Sequence, residues 1–272
     1  MPSEDLGPVR YEKTPPLARV VLNDPQRRNA QSSAMVQGVQ RALADARRDH
    51  AIRAVIVKAA GETFCSGHLH SIEAYPEFQA SFAHKGSAWE GQSELFLWPM
   101  LEFWEFPKPT IAQVQGPAIQ GGTYWALLTD LTIASEDASF QMPSVRWGLP
   151  GSETMIEPWL FMNWKRASEY LYTGQTLGAN EAREMGLVNR VVPRAELERE
   201  TEALAARIAE VPGTTLLATK TLVKRAWELM GMRVHLQMSN DLVALSSQHK
   251  DVLDYIADSR ERAARKRKGG TP

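Results

Sequence analysis

Apolar residues recur with two different periods in the first part of the chain. Runs rich in β-branched residues at 18–24 and 53–61 end in an Asn-Asp-Pro turn and in a glycine, and such runs are typical of strands. Between them, residues 35–46 carry apolar side chains at helical spacing, and Ser32 or Ser33 precedes them as a cap. The pattern predicts a strand, a helix and a second strand.

A second unit of this kind follows. The apolar runs at 110–116 and 131–135 flank the segment GGTYWALLTD. Strands joined by crossover helices favour a parallel sheet, so the first half of the chain is predicted to be α/β. From residue 152 onward, helical patterns separated by short breaks replace the strands. The apolar faces of these late helices need a partner, which is either the core or another subunit.

The charge of the chain gives no global reason to expect a polyanionic partner. The 272 residues carry a formal net charge of −1, so we predict neither nucleic acid nor an acidic membrane as a partner. One local exception is the segment 260–268, which holds six basic residues and one Glu. It is either a solvated helix end whose cations suit the helix dipole or an arm that contacts phosphates.

The numbers of cysteines and histidines and the hydropathy of the chain bear on disulfides, metal sites and membrane spans. A single cysteine excludes an internal disulfide, and six scattered histidines suggest no zinc-ligand pattern, so we expect no metal. The N-terminal segment lacks an apolar signal-type stretch, and no window approaches the roughly 18 apolar residues of a membrane span. We therefore expect a soluble protein of the cytoplasm.

Two glycine-containing loops after predicted strands carry the candidate chemistry. In TFCSGHLH, at 63–70, Ser66 and Gly67 allow close backbone approach and outward-pointing N–H groups. In PAIQGGTYWALLTD, Gly121 and Gly122 do the same at the start of a predicted helix, whose dipole favours developing negative charge. Together the two loops can supply the two N–H donors of an oxyanion hole.

Five segments, in this order and at this spacing, resemble those of the crotonase superfamily, the enoyl-CoA hydratase and isomerase group. They are RRNAQ, FCSGHL, KPTIAQVQGPAIQGG, TDLTIASEDASFQMPSVRWGLPG and TGQTLGANEAREMGLVNRVVP. The resemblance covers about residues 20–245. The resemblance implies an α/β fold: a crotonase-like spiral of ββα units, assigned to residues 1–200, and a helical C-terminal trimerisation region, assigned to residues 201–272. It also implies a homotrimer or a dimer of trimers.

The same resemblance implies that the chain acts on acyl-CoA thioesters. Coenzyme A is then part of the substrate, and no permanently bound cofactor is expected. By this resemblance the backbone N–H groups of His68 and Gly121 hold the thioester oxygen as it becomes an enolate. Asn29, Ala30 and Ser66 resemble the edge that receives the adenine and pantetheine of CoA.

The expected proton-transfer residues depart from the family pattern. Family hydratases have glutamates at the positions of Tyr124 and Ser144, and both are missing here. Other branches have a carboxylate at the position of Ser152, so Glu153 is the candidate general base, with Glu157 in reserve; the alternative for Glu153 is a solvent-facing residue in the first turn of a helix. Tyr124 either acts as an acid or hydrogen-bond donor, since a phenol has a pKa of about 10, or packs in the core.

Other side chains near these motifs leave alternatives open. Cys65 stands where the family accepts small residues, so a nucleophilic thiol is not expected, and His70 is expected to be a polar residue without a catalytic role. The segment 71–105, where family members build the acyl pocket, is rich in aromatic residues that either line that pocket or belong to the core. They are Tyr75, Phe78, Phe82, Trp89, Phe96, Trp98, Phe103 and Trp104. As pocket residues they favour a bulky or aryl acyl group.

We predict a hydratase-like enzyme of acyl-CoA metabolism in which both usual glutamates are replaced. The alternatives are an enoyl-CoA isomerase, or a hydratase-lyase or hydrolase, that uses Glu153. A protein that binds acyl-CoA without catalysis is the alternative from another class.

Overall fold

Strands and helices alternate along the part of the chain that the structure describes. The computed structural model describes residues 3–69, 89, 93–150 and 163–268. The strands in these ranges are β1 (Ser3–Asp5), β2 (Val9–Thr14), β3 (Leu17–Leu22), β4 (Ala54–Ala59), β5 (Thr110–Val114), β6 (Pro117–Ile119), β7 (Leu131–Ser135), β8 (Ser139–Gln141), β9 (Thr176–Gly178) and β10 (Arg190–Val192). The α-helices there are α1 (Ser33–Arg48), α2 (Trp98–Glu105), α3 (Gly121–Leu128), α4 (Trp164–Thr173), α5 (Ala179–Glu184), α6 (Leu197–Ala209), α7 (Gly213–Leu229), α8 (Met232–Ser246) and α9 (Lys250–Lys268).

Seven strands form the main sheet, in the order β1-β2-β3-β4-β5-β7-β10. The pairs β1-β2 and β2-β3 are antiparallel, and every pair from β3 to β10 is parallel. The four predicted strands are β3, β4, β5 and β7, so the predicted α/β class is confirmed. A smaller sheet of β6, β8 and β9 was not predicted, because strands of three residues are too short to show a period of two.

Helices cover both faces of the main sheet. On β4, Val55 and Val57 pack into the larger hydrophobic core with α1, while Ala54 and Ile56 pack into a second cluster with α6. Both faces of the sheet are therefore shielded from solvent, which explains why the sequences of the parallel strands are nearly continuous apolar runs. Helix α1 is capped by Ser32, whose Oγ accepts a hydrogen bond from the Met35 N–H at 3.2 Å.

Helix α6 crosses the boundary predicted at residue 200. Its apolar face packs on the sheet, and Glu202 accepts two hydrogen bonds, both at 2.6 Å, from the Arg19 guanidinium on β3. This helix is therefore part of the layer that covers the sheet. The division of the chain at residue 200 stays a prediction.

Helices α7 and α8 expose large apolar residues, although α8 also packs on the core. Met232 and Leu236 of α8 belong to the larger core. Leu222 and Leu229 of α7 and Leu245 of α8 are 72%, 89% and 72% exposed in the single chain. Among the described residues, no helix has the length and apolar content needed to cross a bilayer.

Candidate active site

The loop after β4 pairs with the segment that precedes α1. The Gln31 N–H donates to the Gly67 carbonyl at 2.8 Å, and the Leu69 N–H donates to the Gln31 carbonyl at 3.0 Å. These are the two bonds of a parallel bridge between Gln31 and His68. In such a bridge the N–H of the central residue points away from its partner. The His68 N–H is therefore directed to the side opposite Gln31.

Two adjacent glycines let this loop touch the start of α3. A Cβ on Gly122 would lie 2.2 Å from the carbonyl oxygen of Cys65. A Cβ on Gly121 would lie 2.8 Å from Cε1 of His68 and 2.2 Å from Oε1 of Gln31. Glycine is the residue that permits contacts this close, so the two glycines bring the His68 loop onto the end of the helix.

Gly121 is the first residue of α3, and its position gives its N–H a particular direction. The first helical bond runs from the Tyr124 N–H to the Gln120 carbonyl at 3.0 Å. The N–H groups ahead of that bond point out of the helix at the positive end of its dipole. The structure thus brings together His68 and Gly121, the two residues predicted to form the oxyanion hole.

A pocket of about 630 Å³ opens beside this pair. Its lining includes His68, Ser66 and Ala30, three residues predicted to contact substrate. The other lining residues are Gln26, Arg27, Arg28, Leu69, Ile119, Gln141, Pro143, Arg146 and Trp147. Three of these lining residues are arginines and none is a carboxylate, so the pocket wall favours an anionic ligand.

The side chain of Asn29, a residue also predicted to contact CoA, has a structural role. Its Oδ1 accepts a hydrogen bond from the Asp24 N–H, and its Nδ2 donates to the carbonyls of Ala60 and Thr63, all three at 2.8 Å. The side chain is fully buried and is not part of the pocket lining. Asn29 therefore holds the loop together, while the residues on either side of it line the pocket.

Tyr124 and Ser144, the residues predicted to stand at the positions of the family glutamates, meet at the side chain of Gln120. Gln120 Nε2 donates to Tyr124 Oη at 2.9 Å and to Ser144 Oγ at 2.7 Å, and Ser144 Oγ donates to Gln120 Oε1 at 3.0 Å. All three residues are buried. The three residues thus form a hydrogen-bonded group of uncharged side chains.

The surroundings of Cys65 bear on whether its thiol could act as a nucleophile. Cys65 is fully buried, and burial raises the pKa of its thiol to about 12. Its Sγ accepts a hydrogen bond from the Gly67 N–H at 3.4 Å. A neutral, enclosed thiol is a poor nucleophile. Over the described ranges, no three His, Cys, Asp or Glu residues form a group that could hold a metal ion.

The His68 imidazole has aromatic neighbours. Its ring lies edge-on to Phe96, with 4.4 Å between the centroids and 75° between the planes, and its centroid is 6.4 Å from that of the Tyr124 ring. Phe96, a member of the predicted aromatic set, thus contacts the His68 side chain. Among the others, Phe103 and Trp104 are buried in the larger core, whereas Trp89 and Trp98 are more than half exposed.

The sequence matches a known protein family over most of its length. The family model described as Enoyl-CoA hydratase/isomerase matches residues 12–264. The chain belongs to this family. The resemblance to the crotonase superfamily is therefore confirmed, and the protein is an acyl-CoA enzyme of the lyase and isomerase class.

Individual relatives agree with this assignment. A hydroxycinnamoyl-CoA hydratase-lyase of Pseudomonas fluorescens is 31% identical over 231 residues, which cover 81% of this chain and 79% of that protein. An enoyl-CoA hydratase domain-containing protein 3, mitochondrial, of Xenopus laevis is 31% identical over 77% of this chain and 69% of its own length. The crystal structure of an enoyl-CoA hydratase/isomerase from Xanthobacter autotrophicus Py2 superposes with a TM-score of 0.83, at 31% identity, over 95% of this chain and 96% of that chain. These neighbours also confirm the predicted fold.

Some predicted residues lie outside the described ranges, and some site residues were missed. The predicted residues outside the described ranges are Ser152, Glu153, Glu157, His70, Tyr75, Phe78 and Phe82. The missed site residues are Gln120, Arg27 and Arg28. Gln120 carries a visible signal, because a polar residue directly before Gly-Gly interrupts an apolar run. The two arginines lie in the RRNAQ segment, in which the resemblance implies a role for Asn29 and Ala30.

Proposed function

We propose that this family member stabilises the enolate of an acyl-CoA thioester between the N–H groups of His68 and Gly121. The observation that carries the proposal is the contact between the His68 loop and the first residue of α3, which a Cβ on Gly121 would obstruct. Two preorganised N–H donors stabilise a developing oxyanion in a site shielded from water, and each such donor contributes about 2.7–4 kcal/mol to lowering the barrier.

The CoA part of the substrate is proposed to lie against the arginine-rich wall of the pocket. Arg27, Arg28 and Arg146 line it together with Ala30 and Ser66. Guanidinium groups bind phosphate through paired N–H donors, and CoA carries several phosphate groups. Arg146 is held in place at this wall because its Nε donates to the Thr173 carbonyl at 2.7 Å.

The acyl part is proposed to be bulky or aromatic. Phe96 packs against the His68 ring at the oxyanion pair, so an aryl group held there would meet an aromatic surface. The name of the Pseudomonas fluorescens relative refers to an aryl acyl group, hydroxycinnamoyl. Both points favour an aryl or cyclic enoyl thioester over a short linear one.

The proposed reaction is hydration of the enoyl group without the usual pair of glutamates. Tyr124 then acts as a hydrogen-bond or proton donor, and Glu153 is the candidate base. Isomerisation and hydratase-lyase chemistry using Glu153 follow from the same enolate. Hydrolase chemistry using Glu153 would instead place a tetrahedral oxyanion between the same two N–H donors, and these three reactions are the alternatives. The alternative from another class is a protein that binds acyl-CoA without turnover, and the predicted loss of both glutamates favours it.

The proposed assembly is a homotrimer or a dimer of trimers in the cytoplasm. The exposed leucines of α7 and α8 supply apolar surface that a second copy of the chain would bury. Sedimentation velocity tests this directly: a trimer or hexamer is expected, and a monomer at micromolar concentration would contradict it. Fractionation of cells tests the location.

A panel of linear, cyclic and aryl enoyl-CoA esters, followed by mass spectrometry, tests the reaction. Gain of one water indicates hydration, a shifted retention time at unchanged mass indicates isomerisation, and free CoA or a shortened thioester indicates cleavage. Binding of the esters without any product would favour the non-catalytic alternative.

Two glycine variants test the oxyanion pair. In Gly121→Ala the new methyl meets the ends of the Gln31 and His68 side chains, which can move, so folding is expected to survive while kcat falls about 10²–10³-fold. Gly178→Ala is the matched control, because its Cβ meets nothing within 4 Å. Unchanged kcat in Gly121→Ala would contradict the oxyanion role.

A further inference from the structure

A second pocket, of about 220 Å³, opens at the edge of the main sheet where the parallel strands begin. Phe106 and Pro107, which lie just before β5, line it together with Lys224 of α7. The pocket of the candidate active site lies at the opposite edge, where residues that follow β3 and β4 line it. We propose that Lys224 is a modification site whose side-chain amine is acylated by short-chain acyl thioesters. This inference does not rest on the proposed function.

The Lys224 amine has no hydrogen-bond partner among the described residues, and its Nζ is shielded from solvent. The Nζ lies 5.2 Å from the centroid of the Trp104 ring, whose face attracts a cation weakly but offers it no hydrogen bond. A buried ammonium group without hydrogen bonds is costly, whereas the uncharged amine costs less to bury. The position therefore favours the uncharged form, whose lone pair can attack a carbonyl carbon.

The carboxylates near this amine are engaged by other cations. They are Glu105, Asp130 and Glu228. Asp130 Oδ2 accepts a hydrogen bond from Lys220 Nζ at 2.5 Å. Glu105 and Glu228 both pair with Arg233, whose Nη2 lies 3.6 Å from Oε1 of Glu228. Within the described part of the chain, Lys224 is therefore left without a carboxylate partner, and Arg225 adds a further positive charge to the pocket lining.

The electrostatic surroundings act on the protonation of Lys224. Burial and the charge of Lys220, four residues earlier on the same face of α7, lower the pKa of Lys224 to about 7, although the three carboxylates act in the opposite direction. A lysine side chain in water has a pKa of about 10.4. At pH 8 most of the Lys224 amine is therefore uncharged, and it is suited to react near neutral pH.

The pocket also has room and apolar walls for an acyl group. Trp104, Phe106 and Leu217 line it together with Lys224, and apolar side chains of this kind favour the burial of a hydrocarbon chain. The volume of about 220 Å³ is below the roughly 300–1,000 Å³ of pockets for drug-sized ligands, so it suits an acyl chain of a few carbons. Because the protein belongs to a family of acyl-CoA enzymes, acyl thioesters are the expected reactants.

The exposed leucines of α7 lie on other faces of the helix. Leu222 and Leu229 are two and five positions from Lys224, and residues at these spacings do not share a helix face. Neither leucine lines the pocket. Coverage of these leucines by a second copy of the chain is therefore compatible with an open pocket at Lys224.

The acylation needs no reactant besides the thioester. The lone pair of Lys224 Nζ attacks the thioester carbonyl carbon, so that an N–C bond forms and the C–S bond breaks. Sulfur leaves with the electron pair of that bond and takes up the proton that the amine nitrogen loses. The products are an N-acyl lysine and a free thiol, and the modified side chain can no longer carry a positive charge.

Peptide mass mapping after incubation of the full-length protein with acetyl-CoA tests the site. We expect Lys224 to be acetylated at least about tenfold faster than Lys165 at pH 7.5. Lys165 is the matched control, because its Nζ also lies over a tryptophan ring, at 5.5 Å from that of Trp164, but in an exposed position. Acetylation of Lys224 at a rate equal to or below that of Lys165 would overturn the inference.

The pH dependence of the same reaction distinguishes a perturbed amine from one that is merely reachable. The rate at Lys224 is expected to rise from pH 6 to about pH 8 and then to level off, because the amine is fully deprotonated well above a pKa of about 7. A rate that still rises about tenfold per pH unit up to pH 9 would contradict the inference, since an ordinary lysine behaves in this way.

Arg233→Gln tests the arrangement of charges while leaving Lys224 in place. The change releases Glu105 and Glu228, which can then pair with the Lys224 ammonium and favour its charged form. We expect the acetylation rate to fall about fivefold at pH 7.5 and to approach the wild-type rate at pH 9, and Lys224→Arg serves as the blank. An unchanged rate at pH 7.5, in Arg233→Gln protein of unchanged melting temperature, would overturn the inference. Turnover of enoyl esters is not part of this readout, so failure of the proposed function would be distinguishable from failure of this inference.

Discussion

The two sides of the candidate site are built from different parts of the chain's chemistry. On the oxyanion side, His68 and Gly121 contribute backbone N–H groups, and their geometry comes from glycine contacts and a parallel bridge. On the other side, Gln120, Tyr124 and Ser144 contribute side chains joined by hydrogen bonds in a buried cluster. The sequence predicts that the first side keeps the family pattern and that the second departs from it.

This difference shows which part of the site is free to change. A backbone donor survives replacement of its own side chain, provided that the glycines beside it allow close approach. A side-chain donor or base defines the reaction, and a single substitution changes it. In the proposed function, the enolate step therefore depends on the backbone side, and the reaction that follows it depends on the side chains.

Gly122→Ala is expected to have the largest effect and to act on the backbone side. The new Cβ would lie 2.2 Å from the Cys65 carbonyl, a backbone atom that cannot move without displacing the whole loop. We expect the free energy of unfolding to fall by about 3 kcal/mol, measured by urea denaturation. Gly178→Ala is the control and should change it by less than about 0.5 kcal/mol. A stable, active Gly122→Ala protein would break the comparison, because the loop contact would then not be required.

Glu153→Gln tests the side-chain side and is expected to have the next largest effect. If the Glu153 carboxylate is the general base, kcat falls about 10²–10⁴-fold while the melting temperature stays within error. Glu157→Gln is the matched control, since it removes the same charge four residues later. Full activity in Glu153→Gln would remove this residue from the mechanism, and loss in Glu157→Gln instead would transfer the role.

Local patterns in the sequence predicted much of the backbone side. The β-branched runs at β3 and β4 and the serine cap of α1 are local features, and all of them were found. The Ser-Gly loop and the Gly-Gly before a helix are also local patterns, whereas the specific pair of His68 and Gly121 was predicted from the resemblance to the crotonase superfamily. What the glycines contact, Cys65 in one case and Gln31 in the other, required the fold.

The side-chain side was harder to predict because its bonds join residues that are distant in the chain. Gln120 and Ser144 are 24 residues apart, and no local pattern indicates that they meet. Asn29 shows the same limit: its side chain donates to carbonyls 31 and 34 residues away and so supports the loop, which no local pattern indicates. Sequence identifies the residue types, and the topology decides their partners.

Cys65→Ala is expected to have a small effect, although Cys65 belongs to the loop of the oxyanion side. Because burial raises the pKa of the thiol to about 12, the thiol is neutral at pH 8 and should resist iodoacetamide in the folded enzyme. The variant should keep kcat within about twofold and lose about 1 kcal/mol of stability. Peptide mass mapping after alkylation, with urea-unfolded protein as the control, measures the first point. Rapid alkylation with parallel loss of activity would give the side chain a role on this side.

Removal of residues 260–272 is expected to have the smallest effect. Helix α9 is attached before this segment, since Tyr255 Oη donates to the Arg146 carbonyl at 3.1 Å and the Tyr255 ring packs against Gly148. Salt at physiological concentration weakens the attraction between exposed charges and a ligand, so the Kd for a CoA ester is expected to change less than about twofold. Arg27→Gln is the comparison, because loss of one pocket-lining guanidinium should raise Kd about tenfold. A larger effect from the truncation than from Arg27→Gln, measured by calorimetry on protein of unchanged melting temperature, would show that the basic tail, and not the pocket wall, binds the phosphates of CoA.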